Sequence, residues 1–317
     1  MRGRRGPAVA SALLVLLAAA GCGLGPGADV GAVELTVTRE FGAVPMVEGS
    51  VAAKESDTVM RVLEGEAEIE TRYGGGFVHS IEGVAEEQRG GDPYDWFFFV
   101  DGSESPIGAA EVEVKGGERV WWDHRDWSAV YHAPAVVGSW PAPFVDGIGG
   151  KPYPVVVECM ESRGSLRTQG DRKEPRNCET TRAALEREGV AIAGSAAKGA
   201  IRVLVGPWER VRTDPTARLI EDGPGDSGVF ADFEATGDGY ELVALDEAAA
   251  IGDRLGLDAG LVAATSRYGG PPVWVVTGGS EEAVRAAAEA LNSEQLRDHY
   301  AVTLRDGETT PLPLEKP

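Results

Sequence analysis

Cysteine is scarce in this sequence, with only 3 residues among 317. Two of them, Cys159 and Cys178, lie in the second half without a nearby histidine, so they fall short of the four ligands of a structural zinc site. A metal site is therefore the weaker alternative. In an exported protein, an even pair at this spacing predicts one disulfide, which closes a loop of about 20 residues and stabilises the fold by roughly 3 kcal/mol.

Basic residues are few relative to acidic ones. The chain has 30 Lys and Arg against 51 Asp and Glu, and its formal net charge is -21. A surface of this charge repels nucleic acid and anionic lipid, so neither class of partner is expected. The simplest role of the charge is to keep a tethered surface protein in solution.

Long apolar runs are confined to the N-terminus. The run from Ala8 to Ala20 follows three arginines and is too short to span a bilayer, which predicts a secretory signal. The segment LAAAGC then resembles a bacterial lipobox and predicts cleavage ahead of Cys22, whose thiol would carry a diacylglyceryl group and acyl chains such as palmitate. Ordinary signal-peptidase cleavage is the alternative. Residues 1–22 are the predicted signal and lipobox, residues 23–32 a flexible tether, and the protein is expected on the extracellular face of the cell membrane.

The rest of the chain is predicted to form two domains, residues 33–148 and residues 151–317. The boundary near residue 150 is marked by the Pro- and Gly-rich stretch SWPAPFVDGIGGKPYP. In the second domain, strands such as YPVVVEC, AIRVLVG and PVWVVTG alternate with helices, the surest of which follows Ser280 as its cap. This alternation predicts an α/β sandwich with a mixed sheet. The chain as a whole is therefore expected to be α+β.

The first domain begins with an alternating strand, VELTVTREFG, and a short helix, SDTVMRVLEG, for which Ser56 or Asp57 is the expected cap. Several strand-like runs follow, with hairpin signals at Asp101-Gly102 and at Gly116-Gly117. One helix crossing an antiparallel-rich sheet is the β-grasp arrangement.

Aromatic residues make up only 7% of the chain, yet four of them are consecutive, from Trp96 to Phe99. On a strand, Trp96 and Phe98 share one face, and Phe97 shares the other with Phe99. One pair is expected in the core. The other pair is either a platform for a ligand or a second buried pair that packs against the following domain.

The stretch from Gly74 to Trp127 combines several features in one order. They are Phe77, the turn Ser80-Ile81-x-Gly83-Val84, Trp96 with its alternating aromatics, the Asp101-Gly102 hairpin, Gly108 and the strand GGERVWW. By these features, about residues 33–130 resemble the C-terminal β-grasp domain of transcobalamin and intrinsic factor, a domain also present in many bacterial surface lipoproteins. The second domain carries no such resemblance.

The resemblance implies binding of a small ligand of the corrinoid class, such as cobalamin. A flat amphipathic macrocycle is held by aromatic faces for its rings and by backbone or hydroxyl groups for its amides. The large helical-barrel domain that covers the other side of the vitamin in those carriers has no counterpart in this sequence. The ligand-binding residues that the resemblance implies are His79, Ser80, Ile81, Glu82, Gly83, Trp96, Phe98, Ser103 and Pro106.

Three histidines are metal-ligand candidates by residue type alone, namely His79, His124 and His132. No two of them stand at a convincing strand spacing with a third ligand, and His124 lies among charged residues that predict a solvated turn. We therefore predict no metal site, and no cofactor other than a corrinoid as ligand. Among the tryptophans, Trp140 is expected at the seam between the domains, whereas Trp127 fits a seam or a ligand equally well.

Two further motifs suggest chemistry only weakly. The segment GPGDSGVF resembles the nucleophile loop of trypsin-like proteases, but Ser227 lacks the pattern of a base and an orienting Asp, so a turn entering a strand is predicted. In GLVAATSRYGG and VVTGGSEEAV, glycines are predicted to precede helices, which is a faint signal for an anion site.

No segment assembles a nucleophile with its base, so we do not expect an enzyme. The expected function is that of a lipid-anchored surface protein that binds a small ligand and presents it to a membrane importer. The alternative is a non-catalytic interaction module that docks on a protein partner or on cell-wall glycan.

Overall fold

The computed structural model describes residues 27–160, 174–267 and 270–316. It contains helices together with mixed and antiparallel sheets, which confirms the predicted α+β class. The predicted signal, the lipobox with Cys22 and the first residues of the tether lie outside the described residues. Among the residues that are described, no helix is long and apolar enough to cross a membrane.

Among its described residues, the first half of the chain contains one mixed sheet, one small antiparallel sheet, two short α-helices and one 3₁₀ turn (Tyr73–Gly75). Its elements are β1 (Asp29–Arg39), β2 (Val44–Lys54), α1 (Val59–Glu66), β3 (Ile69–Arg72), β4 (Phe77–Ile81), β5 (Val84–Ala85), β6 (Glu87–Arg89), β7 (Asp92–Val100), β8 (Ser103–Glu104), β9 (Arg119–Asp126) and α2 (Ala142–Val145).

The strand order of the first sheet is β2-β1-β9-β7-β6, with β8 paired to β7. Strands β1 and β9 are parallel, and the other neighbours are antiparallel. The small sheet has the order β3-β4-β5. A hairpin, a helix and a late strand that returns parallel to the first strand form the β-grasp arrangement.

Helix α1 packs on one face of the first sheet. Its side chains Val59, Val62 and Leu63 are buried with the strand residues of that face. The helix is capped by Thr58, whose hydroxyl accepts a hydrogen bond from Arg61 N at 3.4 Å. The prediction that Ser56 or Asp57 caps this helix is therefore wrong by one or two residues, since the chain turns into the helix later than expected.

The two predicted glycine turns of the first half have different outcomes. Asp101-Gly102 joins β7 to β8 with both residues at positive φ, as a two-residue hairpin requires. Gly116-Gly117 does not form a hairpin, because the segment before it makes only an isolated bridge between Glu113 and Thr58. These glycines instead let the chain pass β1 closely, since a Cβ on Gly116 would lie 1.8 Å from Val30 O.

The second half contains, among its described residues, a larger mixed sheet, a small antiparallel sheet, five α-helices and one 3₁₀ helix (Ala217–Asp222). Its elements are β10 (Val155–Cys159), α3 (Arg176–Arg187), β11 (Ile201–Val205), α4 (Trp208–Val211), α5 (Pro224–Ser227), β12 (Ala231–Ala235), β13 (Tyr240–Leu245), β14 (Ile251–Gly256), β15 (Gly260–Thr265), β16 (Val273–Gly278), α6 (Glu281–Glu289), α7 (Ser293–Leu296), β17 (Ala301–Arg305) and β18 (Glu308–Leu312).

The larger sheet has the order β10-β11-β16-β15-β17-β18, with parallel pairs at β10-β11-β16 and antiparallel pairs beyond. The mixed sheet predicted for this half is confirmed. Residues of α3 and α6 share a core with one face of this sheet. The opposite face shares a second core with β12, β13 and the far side of the first sheet. The two halves of the chain thus meet through packed side chains.

Two predicted features are present in the structure, namely Trp140 packed at the seam of the halves and a disulfide within the second half. Trp140 is 2% exposed and packs against Phe144 and Trp274, so it lies at the predicted seam. Cys159 at the end of β10 and Cys178 in α3 form the predicted disulfide. That bond ties the first helix of the second half to the edge strand of its sheet.

Candidate functional site

Strand β7 presents its consecutive aromatic residues alternately to the two faces of the first sheet. Trp96 and Phe98 belong to the core under α1, whereas Phe99 belongs to the core shared with the second half. Phe97 is half-buried and lies beneath the Arg125 guanidinium, whose carbon is 3.8 Å from the ring centre. The aromatic run is therefore covered on both faces for most of its length.

A groove of about 540 Å³ opens beside β7. We call it the β7 groove. Its walls come from β4, β7, the loop after β8 and the segment after β9. The lining residues are Gly76, Phe77, Val78, Trp96, Phe97, Phe98, Glu104, Ser105, Pro106, Ile107, Gly108, Ala109, Trp122, Tyr131 and His132.

The deep part of the groove is aromatic and firmly held. Phe98 stacks on Trp122 with ring centres 4.8 Å apart. The Trp96 indole N–H donates to Val84 O at 2.9 Å, which ties β7 to β5. Trp96 is 6% exposed and Phe98 is 8% exposed, so each contributes only an edge to the groove. These rings form a rigid wall rather than a free platform.

The rim of the groove combines exposed apolar groups with one buried carboxylate. Ile107 is 50% exposed and Tyr131 is 74% exposed. Glu104 accepts a hydrogen bond from Ala133 N at 2.7 Å, and its carboxylate lies 3.0 Å from the His132 ring. The Arg125 guanidinium is 3.5 Å from the same carboxylate. Glu104 thus holds the chain after β9 against the hairpin β7-β8, and this contact builds the outer wall of the groove.

The structure brings together three of the residues implied by the family resemblance. Trp96, Phe98 and Pro106 line the groove. Ser103 lies in β8, where it bridges to Ala135. Ser80 is 4% exposed within β4, on the strand that forms the neighbouring wall.

The remaining implied residues lie around the turn between β4 and β5. His79 contacts Arg72, with 2.8 Å between the ring and guanidinium nitrogens. Ile81 is fully buried, and Glu82 uses its carboxylate to accept from Glu68 N at 2.7 Å. Gly83 borders a different cavity of about 480 Å³, together with residues of β5 and β6 and with Arg39 and Arg89. The turn and the aromatic wall therefore face separate openings.

His124 lies in a different environment from the one expected. It belongs to β9, the strand between β1 and β7, and it is fully buried, so the prediction of a solvated turn is wrong. Its Nε2 is 3.1 Å from Ala85 O, and burial lowers the pKa of the imidazole. A neutral histidine on a central strand has a structural explanation, because the pairing strands remove the water that the charged form needs.

Among the described residues, one group has metal-ligand spacing, namely Cys159, Glu174 and Cys178. The two sulfur atoms of this group are joined in the disulfide, so they are not free thiolates. Ser227 is fully buried in a helical turn, and its hydroxyl donates to Gly223 O at 2.9 Å. Gly260 begins strand β15 rather than preceding a helix, so the anion-site interpretation of that segment is wrong.

Comparison with known families adds one result. Residues 56–125 match the family described as a domain of unknown function, DUF4430. None of the curated proteins matches the chain. The matched segment runs from just before α1 to β9 and contains every lining residue of the β7 groove except Tyr131 and His132. The groove is therefore a feature mainly of the DUF4430-like segment.

Several lining residues were not among the predicted site residues. Glu104 ends the two-residue strand β8, and Ile107, Tyr131 and His132 come from loops whose sequences carry no periodic signal. The place of His132 at the rim depends on the contact of Glu104 with His132 and with Ala133, which lies 29 residues further on. A contact of this kind cannot be found from local pattern, whereas the aromatic alternation of β7 can.

Proposed function

We propose that this protein is a non-catalytic surface lipoprotein that holds a small, largely planar ligand in the β7 groove and presents it to a membrane importer. The observation that carries the proposal is the groove itself. It combines an aromatic wall from Trp96, Phe98 and Trp122 with a rim of exposed apolar side chains and one buried carboxylate. Ligand sites are typically apolar cavities with a few placed polar groups.

The dimensions of the groove support a ligand of moderate size. Its volume of about 540 Å³ lies within the range of ~300–1,000 Å³ that is usual for small-molecule sites. Pro106 and Ile107 stand at an open rim. A macrocycle larger than the groove would enter by one edge and leave its other side free for a second protein.

A corrinoid is the ligand class that we favour. The support is the resemblance of about residues 33–130 to the vitamin-carrier domain, together with the presence of Trp96, Phe98 and Pro106 in one groove. The aromatic wall suits the faces and edges of a macrocycle. Delivery to an importer requires attachment at the membrane, for which the lipobox at Cys22 is the basis of the proposal.

The second candidate is an interaction module for a protein partner or for cell-wall glycan. Exposed aromatic rings favour it, because Tyr73 is 86% exposed and Tyr131 is 74% exposed on the surface near the groove. Exposed aromatic side chains at a rim are common in recognition surfaces. Under this alternative, Tyr73 and Tyr131 would contact the partner and the depth of the groove would remain empty.

Titration with cobalamin and with dicyanocobinamide tests the proposal, with tryptophan fluorescence and calorimetry as the two signals. We expect saturable binding with one ligand per chain. The variant Ile107→Glu places a charge at the groove rim and should weaken binding by at least about tenfold. Its matched control is Ile251→Glu, at a residue of similar exposure in β14, which should bind like the parent.

The absence of quenching and of heat up to about 1 mM of either corrinoid would overturn the corrinoid assignment. Equal loss in the two isoleucine variants would also count against it, because binding would then not depend on the groove. The interaction module would be favoured if Tyr131→Ala and Tyr73→Ala weaken binding to a protein partner or to cell-wall glycan while Ile107→Glu leaves that binding unchanged.

A further inference from the structure

A second cavity, of about 340 Å³, lies between the two halves of the chain. We call it the interface cavity. The first half contributes Glu40 and Phe41, which follow β1, and Tyr94 of β7. The second half contributes Glu247 and part of the C-terminal segment, residues 311–316. No described residue lines both this cavity and the β7 groove, so the two openings are separate.

The cations at the interface cavity already have acidic partners. Arg89, close by, pairs with the Glu40 carboxylate. The Lys316 ammonium lines the cavity and lies 2.7 Å from both the Asp92 and the Asp126 carboxylates. Neither cation is therefore free to neutralise a further carboxylate.

Two more carboxylates line the cavity, those of Glu247 and Glu315. Among the described residues, neither has a hydrogen-bond or ion-pair partner. Glu247 is half-buried, and burial together with the Glu40 carboxylate raises its pKa to about 7. The lining His299 brings no positive charge at pH 7, because burial lowers the pKa of its imidazole. The cavity thus has an excess of negative charge.

The Tyr94 hydroxyl is a further polar group without a partner among the described residues. Tyr94 is only 7% exposed, and its ring contacts the Arg89 guanidinium, whose carbon is 4.4 Å from the ring centre. Burial, followed by the charges of Glu247 and Glu40, raises the pKa of Tyr94. The hydroxyl therefore lies in the field of the cavity's carboxylates. A buried polar group of this kind normally has a hydrogen-bond partner.

The charge of the cavity restricts the class of ligand. An anion would be repelled by Glu247 and Glu315. A metal ion is not favoured either, because the one group with metal-ligand spacing among the described residues lies at Cys159 and Cys178, away from this cavity. The remaining class is an organic cation, which carries its charge on a larger body.

A protonated amine matches the groups that are present. Its ammonium offers three donors, and the Glu247 carboxylate and the Tyr94 hydroxyl are acceptors. Val44, Pro311 and Pro313 line the cavity and give the rest of the ligand an apolar surface. The volume of about 340 Å³ lies at the lower end of the ~300–1,000 Å³ that is usual for small-molecule sites, so the ligand should be small.

We propose that the interface cavity binds a small organic amine, with its ammonium group at the Glu247 carboxylate and the Tyr94 hydroxyl. This site goes beyond the proposed function, because it lies outside the β7 groove and is built from both halves of the chain. A ligand there contacts both halves, so its binding should also stabilise the folded protein.

The test uses two matched probes, benzylamine and benzyl alcohol, which share a ring but differ in the ammonium group. Calorimetric titration at pH 8 measures their affinities, since most of Glu247 is ionised at this pH. We expect one benzylamine per chain, bound at least about tenfold more tightly than benzyl alcohol. Glu247→Gln keeps the shape of the side chain and should weaken benzylamine binding at least about tenfold. Its matched control is Glu186→Gln, at an exposed residue of α3, which removes the same charge and should bind like the parent.

Tyr94→Phe gives an independent test that does not depend on the folding of Glu247→Gln. It should weaken benzylamine binding about three- to tenfold. It should not lower the free energy of unfolding, because the hydroxyl has no partner to lose among the described residues.

No heat of binding with benzylamine up to about 10 mM, or equal affinity for the two probes, would overturn the proposal. Equal losses in Glu247→Gln and Glu186→Gln would also overturn it, because binding would then reflect only the net charge. Parent-like affinity in Tyr94→Phe would contradict the role of the hydroxyl. Titration of Glu247→Gln with dicyanocobinamide separates this site from the β7 groove: parent-like corrinoid binding supports two sites, and its loss would contradict their separation.

Discussion

On the face of the first sheet that meets the second half, Phe99, Trp121 and Tyr300 pack ring against ring, with centres 5.2 to 5.5 Å apart. On the opposite face, Trp96 and Phe98 border an open groove. The same two strands, β7 and β9, supply aromatic side chains to both faces. What differs is whether another part of the chain covers the rings completely.

Polar groups also differ between the interface of the two halves and the β7 groove. At the interface of the halves, the Asp123 carboxylate accepts from Thr38 at 2.6 Å, from Gly42 N at 3.1 Å and from Tyr300 at 3.1 Å. Trp121 donates its indole N–H to the Thr38 hydroxyl at 2.8 Å. This network has partners for each of these atoms. In the groove, by contrast, Trp96 and Phe98 lie beside the exposed side chains of Ile107 and Tyr131. The interface of the halves is closed by packed and hydrogen-bonded groups, whereas the groove face stays open.

Removing the largest of the three interface rings should cause the largest loss of stability among these variants. Trp121 is fully buried, so Trp121→Ala leaves a cavity and should lower the free energy of unfolding by roughly 3–5 kcal/mol. Denaturant unfolding measures this loss. Tyr131→Ala is the control from the groove rim and should change stability by at most about 0.5 kcal/mol. A loss below about 1 kcal/mol in Trp121→Ala would mean that the halves are not held by this core.

The Tyr300 hydroxyl isolates the polar part of the interface. Tyr300→Phe keeps the ring but leaves the Asp123 carboxylate without one of its donors, which should cost about 1–3 kcal/mol. The matched control is Tyr73→Phe, because that side chain is 86% exposed and should tolerate the change. Equal stability of the two variants would show that the interface network is not satisfied as described.

Stability should depend on pH through carboxyls that the fold buries. Burial raises the pKa of Asp101 to about 8, of Glu247 to about 7 and of Asp123 to about 6. Because the folded state holds these protons more tightly than the unfolded state, stability should fall as pH rises from about 4 to about 8. Chemical denaturation at a series of pH values measures the slope.

Asp101→Asn tests the largest of these contributions. Asn keeps an acceptor for Arg119 N, which now bonds to the Asp101 carboxylate at 2.9 Å, and it suits the positive φ of this hairpin position. The variant should lose part of the pH slope and be more stable than the parent at pH 8. An unchanged slope would mean that Asp101 is ionised in the folded protein throughout this range.

The smallest effect on stability is expected at the groove. Ile107→Glu and Ile251→Glu alter exposed side chains and should each change the free energy of unfolding by no more than about 0.5 kcal/mol. Only Ile107→Glu should weaken ligand binding. If Ile107→Glu unfolds the protein, the groove rim is part of the core and the division between the two faces fails.

Local sequence pattern predicts much of this fold but not all of it. The helix α1, the Asp101-Gly102 hairpin, the mixed sheet of the second half and the disulfide are confirmed, because apolar spacing, turn residues and cysteine spacing are visible in short stretches of sequence. Strand β2 was not predicted, because Pro45, Gly49 and Ser50 interrupt its valines and only Ala53 is buried. Strand β15 is buried along its whole length, so it lacks the alternation that distinguishes a strand from a helix.

The candidate site, like the fold, can be predicted from the sequence only in part. The alternation of Trp96 and Phe98 on one face follows from strand geometry, and their burial under α1 follows from the β-grasp order. The outer wall of the groove does not follow from pattern, because it depends on Glu104 meeting residues after β9. The role of the turn at Glu82 and Gly83 stays a prediction, since that turn opens on a separate cavity.

The most direct test of the account is a map of ligand contacts on the eight phenylalanines, because they sample both faces. Phe77, Phe97 and Phe98 line the groove, whereas Phe41, Phe99, Phe230 and Phe233 lie in the core between the halves. In protein labelled with ¹⁵N-phenylalanine, saturating dicyanocobinamide should shift the three groove signals and leave the interface signals in place. Shifts confined to the interface group, or no shifts at all, would contradict the assignment of the β7 groove as the ligand site.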